Sequence, residues 1–113
     1  MKALQAVRLV AFNGIYAFGY AEKDSPDCDL YLIREDIGRF LGYSNPSRAI
    51  REIHKAHYKR LNRLSHKALG GTRLYSTRGA WELGSYSEQP QTDDFMDFIF
   101  DIHHEWKGDI NND

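Results

Sequence analysis

The sequence predicts an α+β domain: a small antiparallel sheet built from hairpins, a central helix-turn-helix-like pair, and a long C-terminal helix. Three observations carry that expectation. Asn13-Gly14 separates two apolar runs, and both residues tolerate positive φ, which is the strongest short-range hairpin signal. Between Ile33 and Lys59 the apolar residues change to a helical period, interrupted at Gly42. Between Thr92 and Trp106 that period is the clearest in the chain. At 113 residues the protein is one domain with enough length for a real core. An apolar content of 42% with 13% aromatic residues argues against disorder. The core is expected over about residues 5–107, with 108–113 as a frayed tail.

In chain order, Gln5 to Phe12 reads as a strand and Ile15 to Tyr20 as its partner. Glu22 to Asp29 is a polar loop turning at Ser25-Pro26-Asp27. Leu30 to Leu32 forms a short third strand. A first helix places Ile33, Ile37, Phe40 and Leu41 on one face. Gly42 then takes the left-handed position after the helix, with Tyr43 giving the apolar contact that often follows. Asn45 is placed to cap a second helix, and Pro46 suits its first position because it has no N–H to waste. That helix is expected to reach Lys59, with Ile50, Ile53, His57 and Leu61 on one side. Arg51, Lys55 and Lys59 form an outer stripe, flanked by Arg48, His54 and Tyr58. On this pattern His57 is a core histidine and His54 a surface one.

Leu61 and Leu64 either extend that helix or Leu64 to Leu69 begins a strand. A second hairpin turning at Gly70-Gly71 into Thr72 to Tyr75 is preferred. Ser76 or Thr77 caps a short helix carrying Ala80, Trp81, Leu83 and Tyr86. Ser87 to Gln91 is a loop. Thr92 caps the last helix, and Asp93 and Asp94 suit its dipole. Phe95, Phe98, Ile99, Ile102 and Trp106 form its apolar stripe, widened by Met96 and Phe100. Asp97, Asp101 and Glu105 line another face. Lys107-Gly108 is expected to end it.

The net charge of −1 hides a strong asymmetry. Residues 34–78 hold eleven Lys/Arg against three acids, whereas residues 79–113 hold one Lys against nine acids. A basic centre beside an acidic end suggests an anionic partner for the centre, unless the two blocks neutralise each other within the fold or across a dimer. Enzyme chemistry finds no support: there is no Gly-rich phosphate loop and no nucleophile elbow. Cys28 is the one cysteine, which excludes an internal disulfide and fits a reducing compartment such as the cytoplasm. No zinc-finger spacing occurs, so neither metal nor cofactor is expected. Met1 to Val10 has no continuous apolar run, so no signal peptide is expected, and no stretch approaches a membrane span.

Leu41-Gly42-Tyr43-Ser44-Asn45-Pro46-Ser47-Arg48-Ala49-Ile50-Arg51, preceded by Tyr31-Leu32-Ile33-Arg34-Glu35-Asp36-Ile37, resembles the N-terminal domain of the BRO family. That domain occurs in phage antirepressors and in large DNA viruses of insects. Gly70-Gly71-Thr72, Leu74 to Gly79, Ser87-Glu88-Gln89-Pro90 and Asp94 to Ile99 resemble its second half. The resemblance implies a DNA-binding domain usually followed by a separate C-terminal effector domain; these residues correspond to the first alone. Where phage relatives are basic near the Gln-Pro pair, this chain has Glu88 and Gln91.

The resulting expectation is a viral or prophage-type regulator that binds duplex DNA through a basic helix. Arg48, Arg51, Lys55 and Lys59 form the leading contact stripe. Ser44, Asn45 and Ser47 meet phosphate or a base edge at the helix N-terminus. Arg60, Arg63, Lys67, Arg73 and Arg78 add backbone contacts. Lysines supply affinity, while arginine can also read guanine. The alternative is an antirepressor that sequesters a regulatory protein without touching DNA, through the acidic face of Asp97, Asp101 and Glu105. Homodimerisation is compatible with either.

Overall fold

The computed structural model describes residues 4–22 and 28–111. The expected Ser25-Pro26-Asp27 turn lies outside the described residues. The domain is α+β. Strands β1 (Leu4–Phe12) and β2 (Ile15–Glu22) pair antiparallel, with Leu9 opposite Phe18 and Phe12 opposite Ile15. The turn between them holds Asn13 at φ 51° and Gly14 at φ 75°, as the Asn-Gly pair requires. Then come β3 (Tyr31–Ile33), α1 (Arg34–Leu41), α2 (Pro46–Ala56) and α3 (Tyr58–Arg63). The second hairpin follows: β4 (Ser65–Lys67), a single 3-10 turn at Leu69–Gly71, and β5 (Arg73–Ser76). Helices α4 (Thr77–Ser85) and α5 (Thr92–Asn111) complete the chain. The sheet order is β1-β2-β3-β5-β4, antiparallel throughout.

The core joins one sheet face to the helices. Val10, Ala17, Leu32 and Tyr75 from the strands meet Ile37, Phe40, Leu41, Ile50, Leu61, Leu83, Phe95 and Ile99 from the helices. Phe12, Phe40, Phe95 and Phe98 form an aromatic knot at its centre, with ring centroids 4.9 to 6.4 Å apart. Such rings bury a large apolar area and gain further from edge-on contact.

The joint after α1 forms as its residues dictate. Gly42 sits at φ 87°, its N–H bonds the Arg39 carbonyl, and the Tyr43 N–H reaches back to Gly38. This is a Schellman closure, which only glycine adopts without strain. Gln91, from the loop before α5, donates its side-chain N–H to the Phe40 carbonyl at 2.7 Å and so satisfies another helix-end acceptor. A Cβ on Gly42 would lie 2.7 Å from that same amide. Pro46 begins α2 as expected, but the Asn45 side chain makes no cap bond; only its carbonyl joins the ladder, accepting from Ala49.

Four further expectations are corrected. The second helix does not reach Lys59: it stops at Ala56, and His57 (φ −124°, ψ 41°) turns the chain into α3. In a straight helix the His57 imidazole would share the face of Ile50, Ile53 and Leu61. The break instead lays it flat on the Tyr86 ring, with centroids 3.6 Å apart, while Leu61 still enters the core. Thr92 is the first residue of α5 and not its cap; its hydroxyl donates to Ser87. Gly108 does not stop α5, which continues to Asn111, because glycine without a left-handed φ only weakens a helix. Phe100 widens the predicted apolar stripe of α5 yet remains 56% exposed, and Trp81 on α4 is 41% exposed.

Phe40→Ala should cost about 3–5 kcal/mol in chemical denaturation, and Gly42→Val at least ~1 kcal/mol. A loss below about 1 kcal/mol for Phe40→Ala would contradict its place at the centre of the knot.

Candidate nucleic-acid interface

The basic residues are carried by six elements. Arg34 starts α1; Arg48, Arg51 and Lys55 lie on α2; Lys59, Arg60 and Arg63 on α3; Lys67 on β4 and Arg73 on β5; Arg78 on α4. Because of the break at His57, the expected stripe is split: Arg51 and Lys55 sit on one helix and Lys59 on the next. All three are exposed.

A buried phenol organises the first part. Tyr75 is 0% exposed, and its oxygen accepts from Arg34 Nη2 at 2.9 Å and Nε at 3.3 Å. The same oxygen lies 2.6 Å from His54 Nδ1. With its lone pairs taken by the guanidinium, the phenol donates its O–H to the imidazole, which fixes His54 as a neutral acceptor at Nδ1. His54 is therefore the buried histidine and His57 the exposed one, the reverse of the expectation. Burial pushes the His54 pKa down, and the positive fields of Arg73 and Arg34 push it further; contact with the Asn62 side chain works the other way. Arg51 and Arg73 also act on the phenol with Arg34. Arg73 is steadied by a 3.0 Å bond to the Ser65 hydroxyl. Three arginines from α1, α2 and β5 thus gather around one neutral, buried pair. Arg34 and Tyr75 were not expected at the site, because the sequence shows them only as the first turn of a helix and a strand residue.

The second part is a notch of about 250 Å³ between α3 and α4, lined by Lys59, Arg60, Arg63, Leu64 and Arg78. Arg60 is committed there: its Nε donates to Glu82 at 2.7 Å, and this pairing lowers the Glu82 pKa. Gly79 anchors the α4 start, donating its N–H to the capping hydroxyl of Ser76 at 3.1 Å.

Of the eleven cations in residues 34–78, Arg39 and Arg48 pair within their own helices, with Asp36 and Glu52, and Arg60 pairs with Glu82. The other eight, Arg34, Arg51, Lys55, Lys59, Arg63, Lys67, Arg73 and Arg78, have no carboxylate partner among the described residues. The acidic end therefore does little to neutralise the basic centre inside the fold. On α5, Glu105 pairs with Arg8 of β1, while Asp97 and Asp101 face solvent. Ser44 and Asn45 are exposed in the α1–α2 turn and Ser47 is half-buried, so the turn adds polar groups beside α2. No group of metal-ligating side chains occurs among the described residues, and none of their helices is long and apolar enough to cross a membrane.

The chain matches no protein-family model, no curated protein and no solved structure.

Because the folded pKa of His54 lies below its unfolded value, its contribution to stability is complete above an unfolded pKa of about 6.5 and is lost as pH falls below it. His103, also held down by burial and by Lys107 and His104, acts in the same direction. Thermal melts should therefore drop between pH 7 and pH 5, and His54→Gln should flatten that drop. An unchanged slope in the variant would contradict a neutral, buried His54.

Proposed function

We propose that this chain is a DNA-binding regulator that grips the duplex backbone through the surface formed by α2, α3 and the start of α4. The observation that carries the reading is the set of eight cations without carboxylate partners among the described residues. Like charges held together repel one another, and a polyanion relieves that repulsion while releasing its condensed counterions. Lys59, Arg63 and Arg78 line one notch and suit a phosphate. Arg51 and Lys55, exposed on α2, suit the adjoining backbone or a base edge. The solvent-facing Asp97 and Asp101 of α5 must then point away from the duplex. The resemblance to the BRO N-terminal domain agrees with this role, and with action in the cytoplasm.

A second reading has its own observation. The exposed carboxylates of Asp97 and Asp101 give α5 an anionic face suited to the basic surface of a regulatory protein. The two readings separate on the cations: sequestering a protein through α5 does not need Lys59, Arg63 or Arg78.

Anisotropy titrations against a random duplex pool should give an affinity that falls steeply with salt. Replacing Lys59, Arg63 and Arg78 together by alanine should flatten the log–log salt slope by about 0.9 for each phosphate that is no longer neutralised. No binding at low salt, or an unchanged slope in the triple variant, would count against DNA and favour the protein-binding reading.

A further inference from the structure

Beside the basic notch lies a second concavity of different chemistry. It is a cleft of about 400 Å³ between α4 and α5, within the range of small-ligand sites. Trp81 from α4 and Phe100 from α5 line it with two exposed aromatic side chains. Its base includes Ile99, fully buried, and the Thr77 hydroxyl, 2.6 Å from His103 Nδ1. The cleft and the notch share Arg60 and Arg78. Arg60 is neutralised by Glu82, so Arg78 is the cation without a carboxylate partner among the described residues that borders both.

We propose that this cleft seats one unpaired nucleobase of a single-stranded nucleic acid, stacked on Trp81 and Phe100, with the adjoining phosphate on Arg78 and the notch. The proposal rests on the nucleic-acid reading above and adds to it a second mode of contact. Aromatic side chains placed next to a cationic track are the means by which proteins hold single strands, because every base has a face to stack. Paired bases hide those faces inside the helix, so a duplex has no use for the cleft unless a base leaves the stack. The placement of charge also sets the path of the strand. Asp97 and Asp101 are exposed on α5, so the backbone runs on the α3–α4 side, over Arg63 and Arg78, and only the base reaches toward α5.

The test is a titration of the full chain with a labelled oligothymidylate about eight nucleotides long, alongside a duplex of mixed sequence. Single-strand binding should quench Trp81 emission. Trp81→Ala and Phe100→Ala should each weaken it by roughly fivefold or more, leaving duplex affinity within about twofold. Trp81→Phe should keep the affinity and lose the quenching, since a ring remains and Trp106 is the only other tryptophan. Both positions are exposed, and circular dichroism melts confirm that the variants fold. Duplex binding without single-strand binding overturns this proposal alone, as does single-strand affinity indifferent to both alanine variants. Failure to bind either nucleic acid overturns the underlying reading as well.

Discussion

The Tyr75 hydroxyl is the constraint on which the fold and the basic surface both depend. It lies in the core on β5, yet it binds the first residue of α1 and a histidine of α2. A phenol in that position must be satisfied, because an unpaired buried hydroxyl costs about 1–3 kcal/mol. Arg34 and His54 satisfy it, and in doing so tie the α1–α2 pair to the sheet. The arrangement also explains why His54 is neutral. A protonated imidazole would present an N–H to an oxygen already accepting from Arg34, inside the field of two arginines.

The same tie holds Arg34 beside Arg51 and Arg73, all three acting on the Tyr75 phenol. Most proteins scatter their cations or pair them with acids; here eight go without a carboxylate partner among the described residues, and of the acids of the C-terminal block Glu82 pairs with Arg60 while Asp97 and Asp101 face solvent. The close approach of α1 and α2 fixes the geometry, since a Cβ on Gly38 would fall 2.5 Å from the Pro46 carbonyl oxygen. Arg34 and Arg51 are carried by these two closely packed helices. The repulsion among them is a standing cost that a bound polyanion would offset.

Much of the fold was legible from local rules. The Asn13-Gly14 and Gly70-Gly71 turns, the left-handed Gly42 and the Pro46 start each follow from the conformations their residues allow. The departures share one cause: partners distant in sequence. The helical period placed His57 inward and His54 outward, but Tyr86 draws His57 out and Tyr75 draws His54 in. Thr92 was a sound cap by type, but its hydroxyl is used by Ser87. Nothing local marks Arg34 as part of the site, because its partner is 41 residues away. Phe100 fits an apolar stripe by spacing, and only the packing of α4 on α5 leaves it facing a cleft with Trp81. The cations themselves were legible as a charge block; their division between α2 and α3 was not.

Chemical-shift mapping tests the central claim most directly, because it reports where an anionic partner lands without assuming which residues matter. In a titration of the isotopically labelled chain with duplex DNA at low salt, the largest shifts should fall at Arg51, Lys55, Lys59, Arg63 and Arg78. The Tyr75–His54 pair should respond through Arg34 and Arg73, while Asp97 and Asp101 stay in place. Shifts confined to the exposed face of the β1–β2 hairpin or to α5, with α2 and α3 silent, would contradict the account.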